Sequence, residues 1–213
     1  MNRREFSSLI GASAGAAALL NAVPAAAQGA PVEGKQFQRI EPAQPTTPGK
    51  IEVLEFFSYA CPHCAAFEPV LEPWSKKLPA DVVFRRVPVP FLVAAENFQR
   101  TYYALESLGL VDTMQRKIFT AVHADRMRLE SPSDVAALVT KNGGDANKFL
   151  DAMKSFGVVN GATRAKKLTA DYKIDSVPTL AVQGRYTTSP ADAGGAEQAL
   201  AVVDFLIQRA RKG

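Results

Sequence analysis

Ile51-Glu52-Val53-Leu54-Glu55-Phe56-Phe57-Ser58-Tyr59-Ala60-Cys61-Pro62-His63-Cys64 holds both cysteines of a 213-residue chain. Its first seven residues read as a strand of the core, because a mainly apolar run of this length with β-branched and aromatic members suits a pleated, buried position. Its last four read as the opening turn of a helix, where proline is favoured. A strand that delivers a Cys-x-x-Cys pair to a helix start is a redox arrangement, since unpaired N–H groups and the helix dipole stabilise a thiolate there. On that first turn Cys61 lies at the exposed end and Cys64 one turn further in, close enough to close a small disulfide ring. Cys61 is expected to exchange with an outside sulfur and Cys64 to resolve the product.

Other uses of the pair fit less well. A structural zinc site needs four ligands, and the chain has two histidines, His63 inside the motif and a distant His123. No metal and no cofactor are therefore expected. Inert buried cysteines would not need Pro62 to fix the pair where its sulfurs can react.

The composition, 47% hydrophobic and 22% charged, is that of a globular protein with one good core and room for an inserted subdomain. Residues 1–27 read as an export signal: Arg3-Arg4 as the charged start, Leu9 to Leu20 as a short apolar stretch, and Ala25-Ala26-Ala27 as the cleavage site. The apolar stretch is too short to span a bilayer comfortably. Asn2-Arg3-Arg4-Glu5-Phe6 resembles a twin-arginine signal, and the Ala/Gly-rich, weakly hydrophobic stretch fits that route better than the general one, though Ser7, where such signals often carry leucine, leaves the route open. The mature protein is expected to be soluble outside the cytoplasm, where an oxidising compartment favours a disulfide donor over a reductant. A net charge of +4, spread thinly, gives no reason to expect nucleic acid or a membrane surface as partner. The basic end Arg209-Ala210-Arg211-Lys212 suits the C-terminus of a helix.

Along the chain, residues 28–49 form a polar leader with one short strand near Phe37 to Ile40. After the Cys-Pro-His-Cys turn a helix is expected to about Leu78, kinked by Pro69 and Pro73, each of which removes an N–H and crowds the preceding turn. Asp81 to Val89 reads as a second strand, and the β-α-β crossover implies a parallel pair. From Ala94 to Tyr172 the apolar spacing is helical throughout and marks five helices. The sheet resumes at Thr179 to Val182, turns at Gln183-Gly184 and returns through Arg185 to Thr188. A final amphipathic helix buries Leu200, Val203, Phe205 and Leu206. The organisation is thus an α/β domain in two parts, residues 28–93 and 173–213, around a helical insertion, residues 94–172.

Val53-Leu54-Glu55-Phe56-Phe57-Ser58-Tyr59 leading into Cys61-Pro62-His63-Cys64, with Phe67-Glu68 beyond, resembles the DsbA family of periplasmic disulfide oxidases, and Ser176-Val177-Pro178-Thr179 is similar to that family's cis-proline loop. The Pro-His dipeptide together with Val177-Pro178 separates this group from thioredoxin-type and isomerase-type relatives. The resemblance implies a thioredoxin fold with an inserted helical domain, and a monomeric periplasmic enzyme. Such an enzyme donates its disulfide to reduced, unfolded exported proteins and is re-oxidised by a quinone-linked membrane oxidase. It implies that Cys61 is the nucleophile, Cys64 the resolving thiol, His63 the residue that stabilises the thiolate, and Pro178 the proline beside the disulfide. Val177 is then expected to present its backbone to an extended substrate peptide.

Further residues carry expectations of their own. Glu55 shares a strand face with Val53 and Phe57, so it is either a protonated acid that moves protons near Cys64 or the partner of a cation. Glu68 follows Cys64 by one helical turn and matches a buried acid of the family, with Arg86 as a basic partner; an ordinary surface ion pair is the plainer alternative. Pro69 is expected to break the helix just after Glu68. Tyr59 is expected to offer apolar surface to substrate, and His123 to be structural, as a lone histidine on an apolar helix usually is. A peptide-binding chaperone would not need both cysteines and His63. A disulfide isomerase of the periplasmic kind needs a dimerisation domain, for which the leader leaves no room; a reductase is the remaining alternative.

Overall fold

The computed structural model describes residues 29–212, so the expected export signal lies outside the described residues. Strands β1 (Gln38–Arg39), β2 (Ile51–Phe57) and β3 (Val82–Pro88) come first, with helix α1 (Pro62–Ser75) between β2 and β3. Five helices follow: α2 (Ala95–Ser107), α3 (Val111–His123), α4 (Pro132–Lys141), α5 (Ala146–Lys154) and α6 (Phe156–Asp171). The chain then returns to the sheet through β4 (Thr179–Val182) and β5 (Tyr186–Thr188), and ends with α7 (Pro190–Ala193) and α8 (Ala196–Arg211). The sheet order is β1-β5-β4-β2-β3, with β2 parallel to β3 and antiparallel to β4. Among the described residues no helix is long and apolar enough to cross a membrane.

Strand β2 is central and nearly all of it is buried. Alternation sorts its side chains between two packed layers. Val53 joins Phe67 and Leu71 of α1 and Val203 and Leu206 of α8, whereas Leu54 and Phe56 join Val87, Ala165 and Tyr172 on the opposite face. Glu55 takes the α1 face along with Val53, which sends a carboxylate into the layer beneath the active-site helix. Phe57 and Tyr59, at the end of β2, pack instead with Phe98, Tyr102, Leu105, Ile118 and Phe119 of the inserted helices. The turn carrying the cysteines therefore lies at the seam between sheet and insertion.

Local chemistry sets the helix starts. Ser131 and Asp134 form a capping box on α4, and Asp145 and Ser155 cap α5 and α6. The short helix α7 was not expected from periodicity, but Ser189 followed by Pro190 gives it the same cap and first-turn proline. Gly184, at φ +62°, closes the β4–β5 turn against the leader, where a Cβ would fall 2.1 Å from Gln44 O.

Two expectations about α1 need correction. The helix ends at Ser75, before Leu78, and it runs through Pro69 and Pro73 without interruption. Both prolines lie on its exposed face, where the carbonyls they leave without donors can meet water. Glu68 accordingly keeps its helical direction and points inward.

Candidate active site

The peptide after β2 turns once before α1 begins. Ser58 holds that turn by accepting from Ala60 N at its Oγ (3.1 Å) and from Cys61 N at its carbonyl (3.0 Å). Cys61 is the N-cap of α1 and Pro62 fills the first helical position. In this geometry the Cys61 sulfur accepts from Cys64 N at 3.4 Å, while the carbonyl of Val177, in the cis Val177-Pro178 peptide, lies 3.4 Å from the same sulfur and can accept from its thiol. Cys61 is 5% exposed and Cys64 is fully buried; both are free thiols.

The two sulfurs occupy opposite electrostatic environments. A hydrogen bond from the Cys64 thiol, then N–H groups of Cys64 and His63 and the charge of His63, bring the Cys61 thiol down to about 6 against the opposing effect of burial. Burial pushes the Cys64 thiol far up, and its contact with Cys61 and the charge of Glu55 add to the rise. At neutral pH the reduced site thus holds a Cys61 thiolate beside a Cys64 thiol.

Below the pair lies a buried charge cluster. The parallel register sets Glu55 of β2 beside Arg86 of β3, and Glu68 reaches the same guanidinium from α1. Arg86 Nε donates to Glu55 Oε2 at 2.8 Å and Arg86 Nη2 to Glu68 Oε1 at 2.7 Å. Glu55 is fully buried and Glu68 2% exposed, so this is neither a lone acid nor a surface ion pair. Burial raises Glu55 above the ordinary carboxylate range against the pull of Arg86, with the Cys61 charge adding to the rise. Burial and then the charge of Glu55 push Glu68 up to about 8. Burial alone would lower the Arg86 guanidinium; its two carboxylate neighbours outweigh that and hold it above its ordinary value. One guanidinium facing two carboxyls balances a single negative charge, so the cluster retains one proton at neutral pH.

His63 is exposed, and with Phe67, Val177, Pro178 and Pro190 it borders a groove of about 560 Å³ that opens beside the motif. The structure thus brings Cys61, Cys64, His63, Val177 and Pro178 together. Glu55 and Glu68 lie in the layer beneath them.

Tyr59 does not offer surface to a substrate. It is fully buried, because the inserted helices pack over the end of β2, and its hydroxyl donates to Gln115 Oε1 at 2.6 Å. One participant was not expected from the sequence: Gln115, a polar residue on the apolar face of α3, spaced by four from Phe119 and eight from His123. Glu52, also buried at 2% exposure, lies at the far end of β2, away from the cysteines, where it accepts from Thr47 Oγ1 and pairs with Arg85. Among the described residues no group of His, Cys, Asp and Glu side chains could hold a metal ion.

Residues 81–200 match the family model of the DSBA-like thioredoxin domain. A thiol:disulfide interchange protein DsbA of Bordetella parapertussis is 44% identical over 214 residues, all of both chains, and that of Pseudomonas aeruginosa is 39% identical over 84% of this chain and 85% of its own. The crystal structure of Pseudomonas aeruginosa DsbA superposes with a TM-score of 0.82 at 38% identity, covering 85% of this chain and 95% of that one. The oxidoreductase NmDsbA1 of Neisseria meningitidis gives 0.76 at 30% identity, covering 85% and 94%.

Proposed function

The chain belongs to the DsbA family of thiol:disulfide oxidoreductases, and on that premise we propose that it acts as a disulfide donor in the periplasm, passing the Cys61–Cys64 bond to reduced, unfolded exported proteins. The observation that carries this reading is the divergence of the two sulfurs, one brought down to about 6 and its partner pushed far up. A thiolate that stable makes the reduced enzyme favourable and its disulfide a strong oxidant.

In the proposed cycle a substrate thiolate attacks Cys61 Sγ, the Cys61–Cys64 bond breaks, and Cys64 leaves with the electron pair and takes up a proton. A second substrate thiol, having lost its proton, attacks the substrate sulfur of the mixed disulfide. Cys61 departs as the stable thiolate, the substrate gains a disulfide, and the enzyme is reduced by two electrons. The groove beside Pro178 offers room for an extended peptide, whose backbone would run along Val177 in the manner of strand addition. His63, at the groove edge, adds to thiolate stability, and Glu55 with Glu68 supplies a proton store below Cys64. Residues 1–27 would export the chain, a quinone-linked membrane oxidase would restore the disulfide, and the protein would work as a monomer.

The test is transfer of the disulfide to a reduced, unfolded protein. The oxidised enzyme should oxidise it stoichiometrically, and Cys64→Ala should accumulate mixed disulfides at Cys61 on gels run without reductant. No transfer, or a glutathione equilibrium as reducing as that of thioredoxin, would refute the donor role.

A further inference from the structure

Helix α3 presents Gln115, Phe119 and His123 at successive turns of one face, and all three hold the same residue, Tyr59. Gln115 Oε1 accepts from the Tyr59 hydroxyl at 2.6 Å, and the Phe119 ring meets the Tyr59 ring edge to face with centroids 5.2 Å apart. His123 Nε2 lies 2.8 Å from the Tyr59 carbonyl oxygen. A carbonyl can only accept, so Nε2 carries the hydrogen and donates. The ring is fixed from its other side by stacking on Phe119, with centroids 6.3 Å apart and planes 30° from parallel. Among the described residues no backbone N–H donates to Tyr59 O, so His123 supplies the partner that this carbonyl, in a fully buried residue, requires.

Tyr59 and Ala60 are the last residues before Cys61, beyond the end of the β2 ladder. We propose that His123 is a positioning residue for the redox pair: its bond to the Tyr59 carbonyl fixes the peptide leading into Cys61 and so ties the inserted helices to the reacting sulfur. The bond acts on the reaction through geometry. It holds the turn in the orientation that keeps the Cys61 sulfur over the N–H of Cys64 and beside Val177 O. A loosened turn would let the sulfur leave the N–H that favours its thiolate. This inference rests on Cys61 being the exchanging thiol.

The experiment compares wild type with His123→Phe, which keeps an aromatic ring on Phe119 and removes the donor, and His123→Gln, whose side-chain amide can restore it. Thiolate absorbance of the reduced protein and its equilibrium with glutathione are read for each. His123→Phe should raise the Cys61 thiolate pKa and shift the equilibrium toward the oxidised enzyme by about three- to tenfold, the range of one net hydrogen bond, and His123→Gln should return both most of the way. A His123→Phe protein that loses thermal stability with pKa and equilibrium unmoved would make the residue merely structural and overturn the proposal. So would ring-nitrogen NMR of the wild type showing Nε2 without its proton, a measurement that needs no variant to fold. In each of these results wild type still oxidises reduced protein, whereas failure of the donor function would appear in wild type itself.

Discussion

Glu68→Gln should make the oxidised protein more stable at neutral and alkaline pH and leave it nearly unchanged in mild acid. Glu68 is 2% exposed and its folded-state pKa is pushed from 4.5 up to about 8, by burial first and then by the charge of Glu55. A raised carboxylate pKa gives stability that is fully present below 4.5 and lost as pH climbs through about 8, because the folded state keeps a proton the unfolded chain has released. At about 1.4 kcal/mol per unit, the interval from 4.5 to neutrality sets a ceiling of about 3 kcal/mol for the loss at pH 7. Sharing of the retained proton with Glu55 brings the expected gain to about 1–3 kcal/mol. Glutamine is a neutral match for the protonated acid. Its amide oxygen can accept from Arg86 Nη2 as Glu68 Oε1 does at 2.7 Å, and Glu55 remains to balance the guanidinium. The assay is urea unfolding of the disulfide form, in which the cysteines do not titrate, followed by circular dichroism near pH 5, 7 and 8. Variant and wild type should coincide near pH 5 and diverge as pH rises. A variant less stable than wild type near pH 8, or a difference that does not change with pH, would refute a proton-retaining cluster.

The depressed Cys61 pKa has its own pH signature. Its contribution to the reduced protein is complete above the ordinary thiol value of 9.0 and lost as pH falls through about 6, so reduced should gain on oxidised by about 2–4 kcal/mol between those limits after allowance for solvent screening. Over most of that window the constant for reduction by glutathione should rise close to tenfold per pH unit and flatten below about 6; a pH-independent constant would contradict a Cys61 thiolate. Tyr59→Phe, which removes the buried hydroxyl bonded to Gln115, should lower stability by about 1–2 kcal/mol by urea midpoint, whereas an exposed substrate-contact residue would leave the midpoint in place.

Much of this molecule is written in local patterns. The apolar run Ile51 to Phe57 is β2 residue for residue, and Cys61-Pro62-His63-Cys64 opens α1 as the preference of proline for a first turn requires. Helical spacing between Ala94 and Tyr172 resolves into α2–α6, because each apolar face repeats within a few residues of chain. Pro69 shows the limit of such reasoning. A proline penalty is a local average, and here an exposed helix face lets the helix continue past it to Ser75.

The amino-acid sequence alone determined the redox pair, the strand and helix that carry it, and the interruption of the sheet by helices, since all of these follow from residues near one another in the chain. What a charged or polar side chain meets was decided only by the tertiary structure. Glu55 could be a free acid or an ion-pair partner until the β2–β3 register set Arg86 beside it and α1 brought Glu68 to the same guanidinium. Tyr59 could face solvent until α3 closed over it, and His123 had no visible connection to the cysteines until that packing placed it on the Tyr59 carbonyl. Burial and hydrogen bonding of this kind join residues 18 to 64 positions apart, and periodicity, which reports only the neighbours along one element, carries no information about them.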